Sequence, residues 1–425
     1  MKDLTINPPF MVKSANGSYI IDDHDRKIID GISSWWCKNM GHRHPRIVQA
    51  LHQQLDQFEH VMFGNTTHNS VIELSEKLTH LTPTLHKIAF ASDGSCAVEM
   101  ALKMSLHARQ ITGETQRTTF MALENSYHGD TGLAMSVSDL GIYRLPYAAV
   151  LPHVPFLKGI PYVSSKHDPL WHDCSSVWPA LEQQLNQYAD HLTAIIVEPL
   201  VQGAGGMLIY AKDFLIRLRK WTQQHHVHLI ADEIMTGFYR TGLTLACDYA
   251  AIEPDFLCLG KGLTNGVLPL SLTLTSNAIY DLFYDDIEKG KTFYHSHTHS
   301  GNALATAAAL ACLTAFEDEH IAQRVPLLET KLFSFMQEVA NQTGCLTNIR
   351  YIGGIVAAEL INHHHIPRFG YRVGQEAIKR GALLRPIMNT VYWAPPLNID
   401  DDTLIKLRDI TCEAIKAAFI YTQSE

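Results

Sequence analysis

The most constraining stretch of this 425-residue chain covers residues 230–261, IADEIMTGFYRTGLTLACDYAAIEPDFLCLGK. Two short apolar runs bound it, at 228–231 and 256–259, and both are continuous rather than alternating. That is the pattern of strands buried on both faces of a parallel sheet. The first run ends in Asp232 and the second is followed by Lys261, where a strand would give way to a loop. Ligands of open α/β sheets bind beyond the carboxyl ends of the strands, so an acid and an amine remote in the chain are expected over one site. The plainer alternative has Asp232 capping a helix and Lys261 solvated.

An acid and an amine in that arrangement suit pyridoxal phosphate. Its aldehyde needs an amine to hold it, and its pyridine nitrogen needs a carboxylate to keep it protonated, so that the ring accepts electrons. A phosphate also needs donors, and two places offer them. Residues 92–95, Ser-Asp-Gly-Ser, form a small-residue turn between an expected strand at 86–91 and a strongly helical segment ending at Gly113. Backbone donors and the positive dipole end at such a helix start favour an anion on Gly94 and Ser95, although Ser92 or Asp93 would equally serve as an ordinary cap. Thr298 and Ser300 lie in a second polar turn ahead of an Ala-rich helix.

The rest of the chain supplies an α/β frame. A hairpin is expected over 17–29, helices over 45–58 and 71–81, and strands over 119–123 and 194–197, the latter ending in Glu198. Tyr127, His128, Gly129 and Asp130 follow a strand end, where an aromatic ring either stacks on a planar ligand or closes a capped turn. Trp35 and Trp36 sit in a Ser-rich loop and suit either core packing or the wall of a pocket. Residues 141–178 show little periodicity and read as an irregular excursion. A strand is expected near 268–275. From about residue 325 the pattern becomes a compact α+β unit: a helix over 325–341, one strand over 349–359, a helix over 371–380 and a final helix from 401. Within it Arg385 precedes a proline, which favours an extended backbone; buried, its guanidinium fork suits a carboxylate, and exposed it is a surface charge.

Composition excludes several classes. With 46% apolar and 18% charged residues the chain is globular, and its net charge of −9 lacks the basic balance of a nucleic-acid binder. No segment reaches the length of a membrane span and no signal peptide is apparent. Eight scattered cysteines without metal-ligand or redox spacing point to a reducing, cytoplasmic setting. Histidine clusters at 225, 226 and 228, at 295, 297 and 299, and at 363–365 have no Cys or acidic companion, so no metal is expected.

Segments DGISSWWCKNMGHRHP, DGSCAVEMALKM, NSYHGDT, IIVEPLVQGAGGM, LIADEIMTGFYRTG, PDFLCLGKGLT and LLRPIMNTVYWAPP together resemble the class III pyridoxal-phosphate aminotransferases, over nearly the whole chain. The resemblance implies a fold-type I α/β architecture. It consists of a large domain over 59–318, with a mostly parallel seven-stranded sheet flanked by helices, and a small α+β domain from both chain ends, 1–58 and 319–425. It also implies that Lys261 binds the cofactor and shuttles the proton, and that Asp232 pairs with the pyridine nitrogen. Gly94 and Ser95 would hold the phosphate, with Thr298 reaching it from the partner subunit of an obligatory homodimer. Tyr127 would stack on the ring, and Trp35, Trp36, Ser296, Arg385 and Tyr392 would contact substrate together with Tyr127 and Lys261. Glu198 and Asp130 would have supporting roles.

The Trp pair, the SYHGDT block and Arg385-Pro386 are most similar to members of the class that aminate 8-amino-7-oxononanoate in biotin synthesis with S-adenosylmethionine as donor. One departure is the N-terminus, where an HPY- or LPF-like block of those members has no counterpart unless Pro9-Phe10 supplies it. Residues 283–293 resemble the lysine-using members, so a lysine donor is one alternative. An ω-amino-acid or diamine transaminase using pyruvate is another, and a catalytically silent cofactor-binding protein is a third.

Overall fold

The computed structural model describes residue 5 and residues 7–362 and 366–420; the histidines at 363–365 lie outside them. Two compact units emerge. One comprises residues up to 48, 239–242 and from 314 onward, and the other comprises 49–238 and 243–313.

The second unit is built on a seven-stranded sheet. Its strands lie in the order Lys87–Ala91, Ser271–Thr275, Phe256–Leu259, His228–Asp232, Leu192–Val197, Thr119–Leu123, Phe156–Leu157. All pairings are parallel except those of Ser271–Thr275, which runs antiparallel to both neighbours. Every residue of Leu192–Val197, Phe256–Leu259 and Ser271–Thr275 is buried, which explains why these runs do not alternate. The helix Gly94–Ile111 lays Val98, Ala101 and Leu102 on one sheet face against Phe120, Ile196, Ile230 and Phe256. Burying each of these Val, Leu, Ile and Phe side chains contributes about 1.5–3 kcal/mol, which holds the helix on the sheet.

In the first unit, Val12–Asn16, Tyr19–Asp22 and Lys27–Asp30 form an antiparallel meander, and Ala382–Leu383 joins its edge in parallel. A second sheet, Leu346–Ile352, Ile355–Leu360 and Thr390–Trp393, is antiparallel. The helices Ile321–Thr343, Phe369–Lys379 and Asp401–Ile420 belong to the same unit.

Three local expectations change. The single strand expected over 349–359 is a hairpin, turning at Gly353-Gly354. Gly353 has φ +54°, and a Cβ there would lie 2.2 Å from the carbonyl carbon of Thr241, so both conformation and space require glycine. The helix expected from 325 begins at Ile321 and carries Pro326 inside it. The excursion at 141–178 contains short helices, Gly141–Arg144, Leu145–Val150 and Pro169–His172, and two-residue strands at Phe156–Leu157 and Tyr162–Val163.

Candidate active site

Because Ser271–Thr275 is antiparallel to both neighbours, Lys87–Ala91 runs in the same direction as the other five strands, and all their carboxyl ends lie along one edge of the sheet. From that edge project Asp232, Glu198, the 92–95 turn, the loop carrying Tyr127, and Lys261. Asp232 is the last paired residue of its strand, opposite Cys258 on the neighbouring parallel strand, and Lys261 follows just beyond Cys258. The acid and the amine thus leave adjacent strands at the same edge. Lys261 takes a left-handed φ of 41°, a conformation that costs a non-glycine residue about 1–3 kcal/mol and is found where surrounding structure enforces it, often at functional sites.

Asp232 is buried, and its two oxygens are used differently. Oδ1 accepts from the backbone N–H of Ile234 at 3.2 Å, and Oδ2 lies 2.8 Å from Nδ1 of His128. A carboxylate only accepts, so Nδ1–H of His128 is the donor. The imidazole is buried, with Nε2 lacking a protein partner, and it orients the carboxylate from behind. Glu198 accepts the backbone N–H groups of Tyr127 and Gly203, each at 3.0 Å, and so fixes the backbone that carries the Tyr127 ring. Burial pushes the Glu198 carboxyl up to about 7; the neighbouring charge of Asp232 adds to this, and His128 and the two N–H donors oppose it. Burial also raises the Tyr127 phenol, reinforced by the adjacent carboxylate of Asp130, which accepts its hydrogen bond.

The 92–95 turn leads into Gly94–Ile111, with Asp93 as its N-cap: Oδ1 accepts from the Cys96 N–H at 3.1 Å. The cap and the phosphate reading are therefore compatible, since the cap engages Cys96 while Gly94 and Ser95 occupy the first turn. Gly129, at φ +127°, packs so closely that a Cβ would fall 2.0 Å from Ser95 Oγ, and Ser95 Oγ accepts the Asp130 N–H at 3.1 Å. The Tyr127 loop and the helix start therefore form one cradle. An amine, a buried carboxylate, an aromatic ring and a glycine-lined helix start match pyridoxal phosphate group by group.

Ser296 and Thr298 are exposed in the segment before the helix Ala303–Asp318. That segment is tied to the same turn through its neighbours. His297 Nδ1 lies 3.3 Å from the Ser92 N–H and 3.1 Å from Ser92 Oγ, and Ser300 Oγ donates to the Phe90 carbonyl at 3.0 Å. His295 and His297 meet at 3.2 Å, and His228 bonds Ser105 at 2.8 Å.

The remaining expected residues form a separate cluster in the first unit. Ser33, Ser34, Trp35 and Trp36 have φ values of 50°, 45°, 74° and 72°, so the expected loop is one left-handed turn built without glycine. Such residues cost roughly 1–2 kcal/mol each. Asp30 holds the turn by accepting from Ser34 N–H at 2.8 Å and Ser34 Oγ at 2.6 Å. Arg240, fully buried, donates to Ser33 Oγ at 3.2 Å, Asn39 Oδ1 at 2.7 Å and the carbonyls of Gly354 and Pro395. Burial among these neutral acceptors lowers it to about 10. The turn sends its two indoles in different directions. Trp36 is buried and donates Nε1–H to the Tyr392 hydroxyl at 3.0 Å, whereas Trp35 is 53% exposed with the Arg385 guanidinium 3.5 Å from its ring centre. Burial raises the Tyr392 hydroxyl to about 12.

Four residues of these clusters carried no assignment from sequence. Arg240 had a faint signal as a lone cation in an apolar, glycine-rich run, and His128 as the neighbour of Tyr127. Asp30 and His42 had none.

The aminotransferase class III profile matches residues 3–419, and the chain belongs to that family of pyridoxal-phosphate enzymes. Among its relatives, the adenosylmethionine-8-amino-7-oxononanoate aminotransferase of Helicobacter pylori is 38% identical over 403 residues, covering 94% of this chain and 90% of the relative. The crystal structure of the enzyme of that name from Methanocaldococcus jannaschii matches with a TM-score of 0.89 at 31% identity, over 98% of this chain and 95% of the other. An amine transaminase from an uncultivated Pseudomonas species, solved with pyridoxal phosphate bound, matches with a TM-score of 0.88 at 30% identity, over 98% and 96%.

Proposed function

We propose that this aminotransferase transfers an amino group to 8-amino-7-oxononanoate, giving 7,8-diaminononanoate for biotin synthesis, with S-adenosylmethionine as donor. The observation that carries the reading is the convergence of Asp232 and Lys261 on adjacent parallel strand ends, in a chain related over nearly its full length to enzymes named for that reaction.

When bound, pyridoxal phosphate supplies an aldehyde that takes up an amine and a ring that accepts the electron pair left when a substrate carbon loses its proton. Lys261 would hold the cofactor through its amine and would move the proton of the reacting carbon as a general base. Asp232, oriented by His128, would set its carboxylate against the pyridine nitrogen and favour its protonated form. Gly94 and Ser95 bind the phosphate, and Tyr127, steadied by Glu198, covers the ring. Trp35, Trp36, Ser296 and Tyr392 contact substrate, and Arg385 binds its carboxylate.

We take the working form to be a cytoplasmic homodimer in which Thr298 reaches the phosphate of the other subunit. Apolar side chains exposed over 142–150, among them Ile142, Leu145 and Val150, support an interface, and eight scattered cysteines without redox-motif spacing suit a reducing compartment. Among the described residues no helix is long and apolar enough to cross a membrane.

Complementation of a biotin auxotroph lacking this step tests the reading: wild type is expected to restore growth and Lys261→Ala to fail. Growth with the alanine variant, or none with wild type, contradicts it. Assays with S-adenosylmethionine, lysine and pyruvate then identify the donor.

A further inference from the structure

We propose that His42 and Asp30 act as a positioning pair for the amino acceptor, setting the left-handed turn that carries Trp35 and Trp36. The claim rests on the reading above that Trp35 and Trp36 contact the acceptor.

The support runs in one direction through the first unit. The backbone of His42 is locked to the hairpin turn at Gly17, accepting the Gly17 N–H at 3.0 Å and donating its own to the Gly17 carbonyl at 2.7 Å. This close approach requires Gly41, whose φ is +70° and where a Cβ would stand 2.8 Å from the Gly17 carbonyl oxygen. Anchored there, the His42 ring places Nε2 2.8 Å from Oδ2 of Asp30. Asp30 is fixed independently, since its N–H donates to the Ser18 carbonyl at 2.8 Å and its strand pairs with Ala382–Leu383. Its side chain is 0% exposed, and it is the group that grips Ser34 through both backbone and hydroxyl. The next two residues are the tryptophans.

His42 therefore does more than fill space. A buried carboxylate is costly without donors, and His42 supplies one of the three that Asp30 receives. Although burial pulls the other way, the hydrogen bonds from His42 and Ser34 hold the Asp30 carboxyl below the usual range, so the turn is gripped by a full negative charge. Without the imidazole, Ser34 is expected to move toward the under-bonded oxygen, and the geometry of Trp36 against Tyr392 and of Trp35 under Arg385 with it.

The test uses the holoenzyme with His42→Leu, which removes the donor, and His42→Gln, whose amide restores one. For His42→Leu the KM for 8-amino-7-oxononanoate is expected to rise about tenfold, the scale of one hydrogen bond to a charge, with kcat within about twofold. His42→Gln is expected to return KM to within about threefold of wild type, and the near-ultraviolet circular dichroism of the tryptophans to follow the same order. Unchanged KM and dichroism in His42→Leu, or a fall in kcat at constant KM, overturns the proposal. Should His42→Leu fail to fold, Asp30→Asn makes the same test from the other member, with the same KM rise expected. If wild type does not use 8-amino-7-oxononanoate, the functional reading fails separately, and the KM comparison is made with the acceptor that wild type does use.

Discussion

The sheet edge and the tryptophan turn solve the problem of placing side chains by opposite means. At the edge, Asp232, Glu198 and Lys261 stand where they do because buried strands end there, so position follows from regular structure. The turn has no such frame: four non-glycine residues adopt left-handed conformations and are kept in place by Asp30, Arg240 and His42. On the proposed assignment, the residues that handle the cofactor sit on the robust element, whereas those that select a substrate sit on one held by a few side chains.

That contrast can be broken by substitutions of unequal weight. The largest effect is expected at the edge: Asp232→Asn keeps the shape but removes the charge proposed to face the pyridine nitrogen, and kcat is expected to fall about 10²–10³-fold with the fold intact. A fall below tenfold would mean that the edge owes less to electrostatics than its geometry implies. A smaller effect is expected at the turn. Trp36→Phe retains a ring but leaves the Tyr392 hydroxyl without its donor, costing about 1 kcal/mol in denaturant stability and raising the acceptor KM several-fold, with kcat nearly unchanged. An equal loss in kcat would place the turn among the catalytic parts.

The smallest effect on activity concerns the far end of the Asp232 strand. Burial holds the His228 imidazole down to about 4, from an ordinary value of 6.5. Between those values the unfolded chain takes up a proton that the folded chain refuses, so stability falls as the pH is lowered through this window, by up to about 1.4 kcal/mol per pH unit. His228→Gln cannot take up that proton, so its stability curve between pH 6.5 and 4 is expected to be flatter than that of wild type. Activity at pH 7 is expected to be unaffected, because this end of the strand is remote from its carboxyl edge.

Legibility in the sequence follows the same division. Continuous apolar runs at 194–197, 228–231 and 256–259 reveal buried strands because burial on both faces leaves no room for alternation, and the polar residues Glu198, Asp232 and Lys261 at or just beyond their ends mark the ligand edge. The edge was therefore readable, including Asp232 and Lys261. The turn was not, since nothing in SSWW indicates positive φ, and hydrogen bonds from Asp30, His42 and Arg240 depend on distant segments meeting. The hairpin at Gly353-Gly354 was missed for a related reason: its glycines face Thr241 and Arg240, contacts that local pattern does not carry. Likewise, His128 is recognisable as a partner of Asp232 only when their strands lie in one sheet.

The central claim is that Lys261, beside Asp232 at the sheet edge, is the amine that holds pyridoxal phosphate. Borohydride reduction of the holoenzyme followed by peptide mass spectrometry tests it most directly. The cofactor is expected on the peptide containing Lys261 and to be absent from that position in Lys261→Ala. Attachment to a different lysine, or a protein that carries no reducible cofactor, would contradict it.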